Sequence, residues 1–113
     1  MHICIPVISK DGRSSKLDHR FANAHYFAIF DTELKYLQMI RNPKYHHQQK
    51  EPYLQKMIQE HGINAVICAD IDEKVLRKLN HLGVKVYKTE EKDVAGILEH
   101  LNRNLAGEII PED

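Results

Sequence analysis

Apolar residues follow two spacings along the chain, and the change from one to the other marks out its elements. His2 to Ile8 is an almost continuous apolar run, the pattern of a strand covered on both faces. Pro6 lacks an N–H and therefore belongs near the end of that strand, where the ladder is closing. Tyr26–Phe30 and Tyr36–Ile40 are aromatic and branched runs separated by Asp31-Thr32-Glu33, which predicts an antiparallel hairpin. From Glu51 the spacing turns helical, with Leu54, Met57, Ile58 and His61 on one face, Pro52 in the first turn and Gly62 as the stop. Ala65–Ala69 predicts a strand. Asp70-Ile71-Asp72-Glu73 then opens a helix carrying Val75, Leu76, Leu79 and Leu82, with Asp70 or Asp72 as its cap. Val84–Tyr87 predicts the last strand. A final helix follows, capped by Thr89, with Glu90 and Glu91 at its positive end and an apolar face of Val94, Ile97, Leu98, Leu101 and Leu105. Gly107 ends it, and Pro111-Glu112-Asp113 reads as a frayed tail.

Three strands followed by helix, strand, helix, strand and helix restrict the architecture. The order predicts a three-layer α/β/α fold with a five-stranded mixed sheet and three helices. A ribonuclease H-like layout, with the second strand antiparallel to the rest, has this sequence of elements. At 113 residues without a linker-like stretch, the chain reads as one domain over 1–113.

Composition removes several classes of function. Sixteen basic residues balance sixteen acidic ones, so no global field draws in nucleic acid or an anionic membrane. The first residues form a strand rather than a signal or a span, which implies a cytoplasmic protein. Cys4 and Cys68 each lie in an apolar run with no second cysteine at C-x-x-C spacing, so they read as reduced, buried thiols.

Candidate chemistry collects in Leu17–Phe27, a polar and aromatic stretch between two strands, where a scaffold of this kind displays a site. His19, Arg20, Asn23 and His25 supply donors there. Phe21 reads as a pocket edge and Phe27 as core. Arg41 to Lys50, with Asn42-Pro43 and the polar run through His46-His47, reads as a second, mobile loop. Neutral imidazoles ligate iron, copper, nickel or zinc, so His46 and His47 are candidate metal ligands. His61, His81 and His100 fall on helices and read as structural. Enzyme readings find little support. The first strand holds no carboxylate for a two-metal nuclease, no glycine-rich phosphate loop follows a strand, and Ser14-Ser15 has no triad context.

Ile3-Cys4-Ile5-Pro6-Val7, Arg20-Phe21-Ala22-Asn23-Ala24-His25-Tyr26-Phe27, Asn42-Pro43, Val66–Ala69 and Gly83-Val84-Lys85-Val86-Tyr87 are spread over nearly the whole chain. Together they resemble the dinitrogenase iron-molybdenum cofactor biosynthesis family, small domains of ribonuclease H-like fold. That family's central motif reads His or Arg, then Phe-Gly-Arg-Ala, then a small residue or proline before Tyr-Phe. Here Ala22 stands for the glycine, Asn23 for the second arginine and His25 for the usual proline.

The resemblance implies a non-enzymatic binding or carrier protein for a metal-sulfur cofactor or its precursor, such as an iron-molybdenum cluster held transiently. His19, Arg20, Phe21, Asn23 and His25 would contact the guest, His46 and His47 would cover it, and a donor or acceptor protein would be the partner. Arg20 stands where a cluster-binding histidine can stand in the family. Because arginine stays protonated, this shifts the expected role from ligation to electrostatic holding. The alternative is a regulatory or protein-interaction module that binds a partner chain or a small anion through the same loop.

Overall fold

The computed structural model describes residues 1–45, 53–101 and 108–109. Its strands are β1 (His2–Val7), β2 (Tyr26–Asp31), β3 (Tyr36–Arg41), β4 (Ala65–Cys68), β5 (Lys85–Lys88) and β6 (Glu108–Ile109). Its helices are α1 (Tyr53–His61), α2 (Glu73–His81) and α3 (Val94–Leu101). The sheet order is β3-β2-β1-β4-β5-β6. β2 runs antiparallel to β1 and β3, whereas β4 runs parallel to both β1 and β5. The five predicted strands and three helices are thus present, in the predicted mixed α/β arrangement. β6 adds a two-residue antiparallel rung on β5.

Strand alternation divides the core between the two faces of the sheet. Cys4, Phe27, Ile29, Val66 and Val86 face one side, where Leu54, Met57 and Ile58 of α1 and Leu76 and Leu79 of α2 cover them. Ile3, Ile5, Val7, Ala28, Phe30 and Ile67 face the other, against Val94, Ile97 and Leu98 of α3. The central strands β1 and β4 are buried on both faces, which is why their sequence is apolar without alternation. The helix phases follow the same logic, each burying the i, i+3, i+4 stripe read from the sequence. Gly62 and Gly83 follow α1 and α2 with φ of +60° and +81°, the left-handed conformation in which glycine carries no Cβ penalty. No helix among the described residues is long and apolar enough to cross a membrane.

Pro6 sits where the β1–β4 ladder ends, as its missing N–H requires. Parallel pairing with β4 involves Ile3 and Cys4. Beyond them the incoming loop takes over, with Asp18 N–H donating to Pro6 C=O at 3.0 Å and Ile8 N–H to Lys16 C=O at 2.9 Å.

Two expectations need correcting. Thr89 does not cap the last helix. Its Oγ1 accepts from Glu91 N–H at 3.1 Å within the connection. The helix starts at Val94, and Asp93 Oδ1 accepts from Gly96 N–H at 2.8 Å. The cause is tertiary: Leu17 N–H donates to Lys92 C=O and Val94 N–H to Ser15 C=O, both at 3.0 Å. These contacts, with a bridge between Lys16 and Asp93, bind that segment to the loop after β1 before a helix can begin. Secondly, the start of the Arg41–Lys50 stretch is not plain loop, while residues 46–50 lie outside the described residues. Pro43–Tyr45 forms a 3-10 turn, and Asn42 is fully buried. Glu51 and Pro52, together with Leu105, Gly107 and the Pro111–Asp113 tail, lie outside the described residues.

Candidate functional site

Neighbouring parallel strands β1 and β4 send the chain in opposite directions at their carboxyl ends. From β1 it passes through residues 8–25 to β2, and from β4 it enters α2 and then β5. Such a divergence leaves a crevice at the sheet's switch point, the usual ligand position in open α/β folds. A crevice of about 320 Å³ occupies that place. Its first wall is His19–Asn23; its second is Asp70, Ile71, Asp72 and Val75.

The first wall is built on Asp18. This residue is buried, and its Oδ1 accepts from the N–H of Arg20 at 2.9 Å and from Arg20 Nε at 3.5 Å. The carboxylate therefore anchors the root of Arg20, while the side chain stays 63% exposed. Phe21 borders the crevice, but its ring belongs to the core, packing at 5.2 Å against Phe27. A tight turn follows, with Ala24 N–H donating to Phe21 C=O at 3.3 Å.

That turn is clamped from behind. Asn42 Nδ2 donates to the carbonyls of Ala22 at 3.0 Å and Ala24 at 2.7 Å, and Tyr45 Oη donates to that of Asn23 at 2.7 Å. Asn42 Oδ1 in turn accepts from Lys44 N–H at 2.9 Å, which fixes the clamp's own geometry. Lys44 Nζ bonds Asn23 Oδ1, bringing a second cation to the residue that lines the crevice.

The second wall carries charge of opposite sign. Asp70 Oδ1 accepts from Ile71 N–H at 2.9 Å, and Asp72 Oδ1 caps α2 by accepting from Lys74 N–H at 3.3 Å. Below it, Cys68 closes β4. Burial, reinforced by Asp70 and opposed by Lys88, pushes its thiol up to about 12. Burial also raises Cys4, with Cys68 adding to the effect. Both are free thiols held protonated, as their apolar runs imply. The strand register sets Cys4 opposite Val66, so the two cysteines share a face without being direct cross-strand partners.

The structure therefore brings His19, Arg20, Phe21 and Asn23 to one crevice. His25 stands apart, its ring stacked on Tyr45 at 4.6 Å and 21°. His46 and His47 lie outside the described residues. Among the described residues, no group of three or more His, Cys, Asp or Glu side chains is disposed to hold a metal ion. Sequence reasoning missed Asn42 and Lys44 as supports and the Asp70–Val75 wall. The signal for the first was the Asn-Pro pair, a turn former whose amide needed a destination once buried. In the sequence Asp70 and Asp72 read as caps of a helix start and as too few carboxylates for a metal-dependent hydrolase, with nothing local to place them across from Arg20.

A larger groove of about 660 Å³ lies on the α3 face among Met1, Phe30, Thr32 and Leu98. That groove also carries opposed charges, at Arg13, Lys35 and Glu99. The switch-point crevice is the better site candidate because it lies at the carboxyl ends of diverging parallel strands and gathers His19, Arg20, Phe21 and Asn23.

A family model described as "Dinitrogenase iron-molybdenum cofactor" matches residues 1–104. Among solved structures, the chain is similar to a candidate NifB protein from Thermotoga at 27% identity and a TM-score of 0.75, covering 91% of this chain and 88% of that one. The apo form of the orange protein from Desulfovibrio gigas aligns at 16% identity and a TM-score of 0.79, covering 99% and 96%. A candidate dinitrogenase from Methanocaldococcus jannaschii aligns at 22% and 0.70, covering 99% and 97%. The last two likenesses establish the shared fold. No curated protein matches the chain.

Proposed function

Since the chain belongs to the dinitrogenase iron-molybdenum cofactor family, we propose that it is a non-enzymatic carrier which holds a metal-sulfur cofactor or its precursor in the switch-point crevice and passes it to a partner protein. One observation carries this reading: the crevice has a cationic, hydrogen-bonding wall at Arg20 and Asn23 facing a carboxylate wall at Asp70 and Asp72. A metal-sulfur guest presents sulfide faces with negative charge and metal centres with positive charge, and a two-sided crevice complements both. Arg20 would contact sulfide through donors that do not compete for the metal. His19 stands beside it as a hydrogen-bond donor or a ligand. With few ligating side chains converging among the described residues, the guest would arrive assembled and be held by charge and hydrogen bonds. Weak, reversible retention of that kind suits a carrier.

Purification without oxygen, metal analysis and an absorption spectrum after incubation with iron-sulfur or molybdenum-sulfur clusters test the proposal. Charge-transfer absorption should co-elute with the protein and fall by about tenfold in affinity in Arg20→Ala, the scale of one lost charge-assisted contact. His25→Ala should bind as the parent does, since its ring lies outside the crevice. A protein that remains colourless and metal-free after incubation overturns the carrier reading. His46→Ala, run alongside, assigns the covering role expected of that segment if it weakens binding and removes it if it does not.

A further inference from the structure

The clamp on the 21–24 turn has a consequence for the opposite side of its backbone. The carbonyls of Phe21, Ala22, Asn23 and Ala24 are each taken by a donor, namely Ala24 N–H, Asn42 Nδ2, Tyr45 Oη and Asn42 Nδ2. The peptides are trans, so each N–H points opposite the carbonyl of its own peptide unit. Tying the Ala22 carbonyl to Asn42 therefore turns the Asn23 N–H away from Asn42. Among the described residues, the N–H groups of Phe21, Ala22 and Asn23 have no acceptor. All three residues line the crevice, directly after Arg20.

Successive backbone N–H groups of a turn that line a concavity are the building units of an anion-binding nest. We propose that the N–H groups of Phe21, Ala22 and Asn23, together with the Arg20 guanidinium, form a cradle for a small tetrahedral dianion of the molybdate, sulfate or phosphate class. Arg20 supplies charge, and its Nε tie to Asp18 limits the ordering entropy lost on binding. Asp70 and Asp72 on the facing wall oppose a bare anion, so affinity is moderate and rises when either carboxylate is neutralised. The cradle rests on the carrier reading only in sharing its crevice, because it requires no metal ligand and no cluster.

Two-dimensional ¹⁵N–¹H NMR titration of the full chain tests this with molybdate, sulfate and phosphate in turn. Ionic strength is held constant with chloride, which serves as the monovalent control. The expected result is a saturable downfield shift of the Phe21, Ala22 and Asn23 amide protons with at least one dianion and none with chloride. Arg20→Ala should weaken that binding by about tenfold. Asp70→Asn, at a rim position, should tighten it by about threefold. The three dianions distinguish a cradle selective for molybdate from one that takes any tetrahedral oxyanion. Absence of saturable shifts at these amides with all three dianions, or unchanged affinity in Arg20→Ala, overturns the cradle. The carrier reading fails separately: dianion shifts in a protein that never retains a cluster keep the cradle and remove the carrier. Cluster retention without these shifts does the reverse.

Discussion

Asn42 makes two bonds through one buried amide nitrogen and accepts a third at its oxygen, all to backbone groups. Removing that side chain leaves the carbonyls of Ala22 and Ala24 without their donor, and a buried group left unpaired costs about 1–3 kcal/mol. Asn42→Ala should therefore lower stability by about that amount in urea unfolding, with an unchanged slope. A loss below half a kcal/mol would mean that water replaces the amide and that the clamp is not structural. The residue was visible in the sequence only as half of an Asn-Pro pair. Its partners lie 18 and 20 positions upstream, and nothing in local spacing announces a contact of that range. His25 failed to reach the crevice for a related reason: its neighbour Tyr45, brought close by the same clamp, offers its ring a stacking partner.

Elements were legible where a buried face imposed a period. α1 and α2 bury the stripes read from Leu54, Met57 and Ile58 and from Leu76 and Leu79, and Asp72 caps α2 as one of the two residues anticipated. α3 was misplaced at its start because Ser15 and Leu17 capture the backbone at Val94 and Lys92, a competition that propensity does not contain. The β2–β3 hairpin carries an electrostatic feature that can be measured. Asp31 Oδ1 accepts from Glu33 N–H at 2.9 Å and Leu34 N–H at 3.1 Å, and His2 Nε2 lies 3.2 Å from Asp31 Oδ2. The Leu34 N–H leads in holding the carboxyl below its ordinary value of 3.8, helped by the Glu33 N–H, His2 and the chain's amino terminus against partial desolvation. A carboxyl depressed in the folded state contributes stability above its unfolded value, and that contribution is lost as pH falls through the folded value. Asp31→Asn should therefore melt below the parent at neutral pH. The two melting curves should converge as pH falls through and below 3.8. A gap that persists unchanged into strong acid would show that the effect is not ionisation.

At the scale of the molecule, the crevice is a product of topology. The two strands that diverge at it, β1 and β4, are the most deeply buried in the sheet, so its floor is packed core while its walls are loop ends. The β-hairpin followed by strand-helix alternation was enough to anticipate this layout, because few topologies accommodate that order. The sequence sets the His46-His47 loop opposite Leu17–Phe27, and that loop lies outside the described residues; the described wall was not anticipated. The wall across the crevice is Asp70–Val75, and its identity depends on β4 lying next to β1 rather than at an edge. A guest bound between the two walls contacts segments from both halves of the chain, so unfolding must release it. Binding only the folded state at one hundred times its dissociation constant stabilises by about 2.7 kcal/mol. With a urea slope of about 1–3 kcal/mol/M, the unfolding midpoint should rise by about 1–3 M when an assembled metal-sulfur guest is added without oxygen. Arg20→Ala at the same guest concentration, with its tenfold weaker binding, should gain only about half of that. An equal rise in both proteins would place the guest elsewhere on the molecule, and no rise in either would mean that the folded state does not hold it.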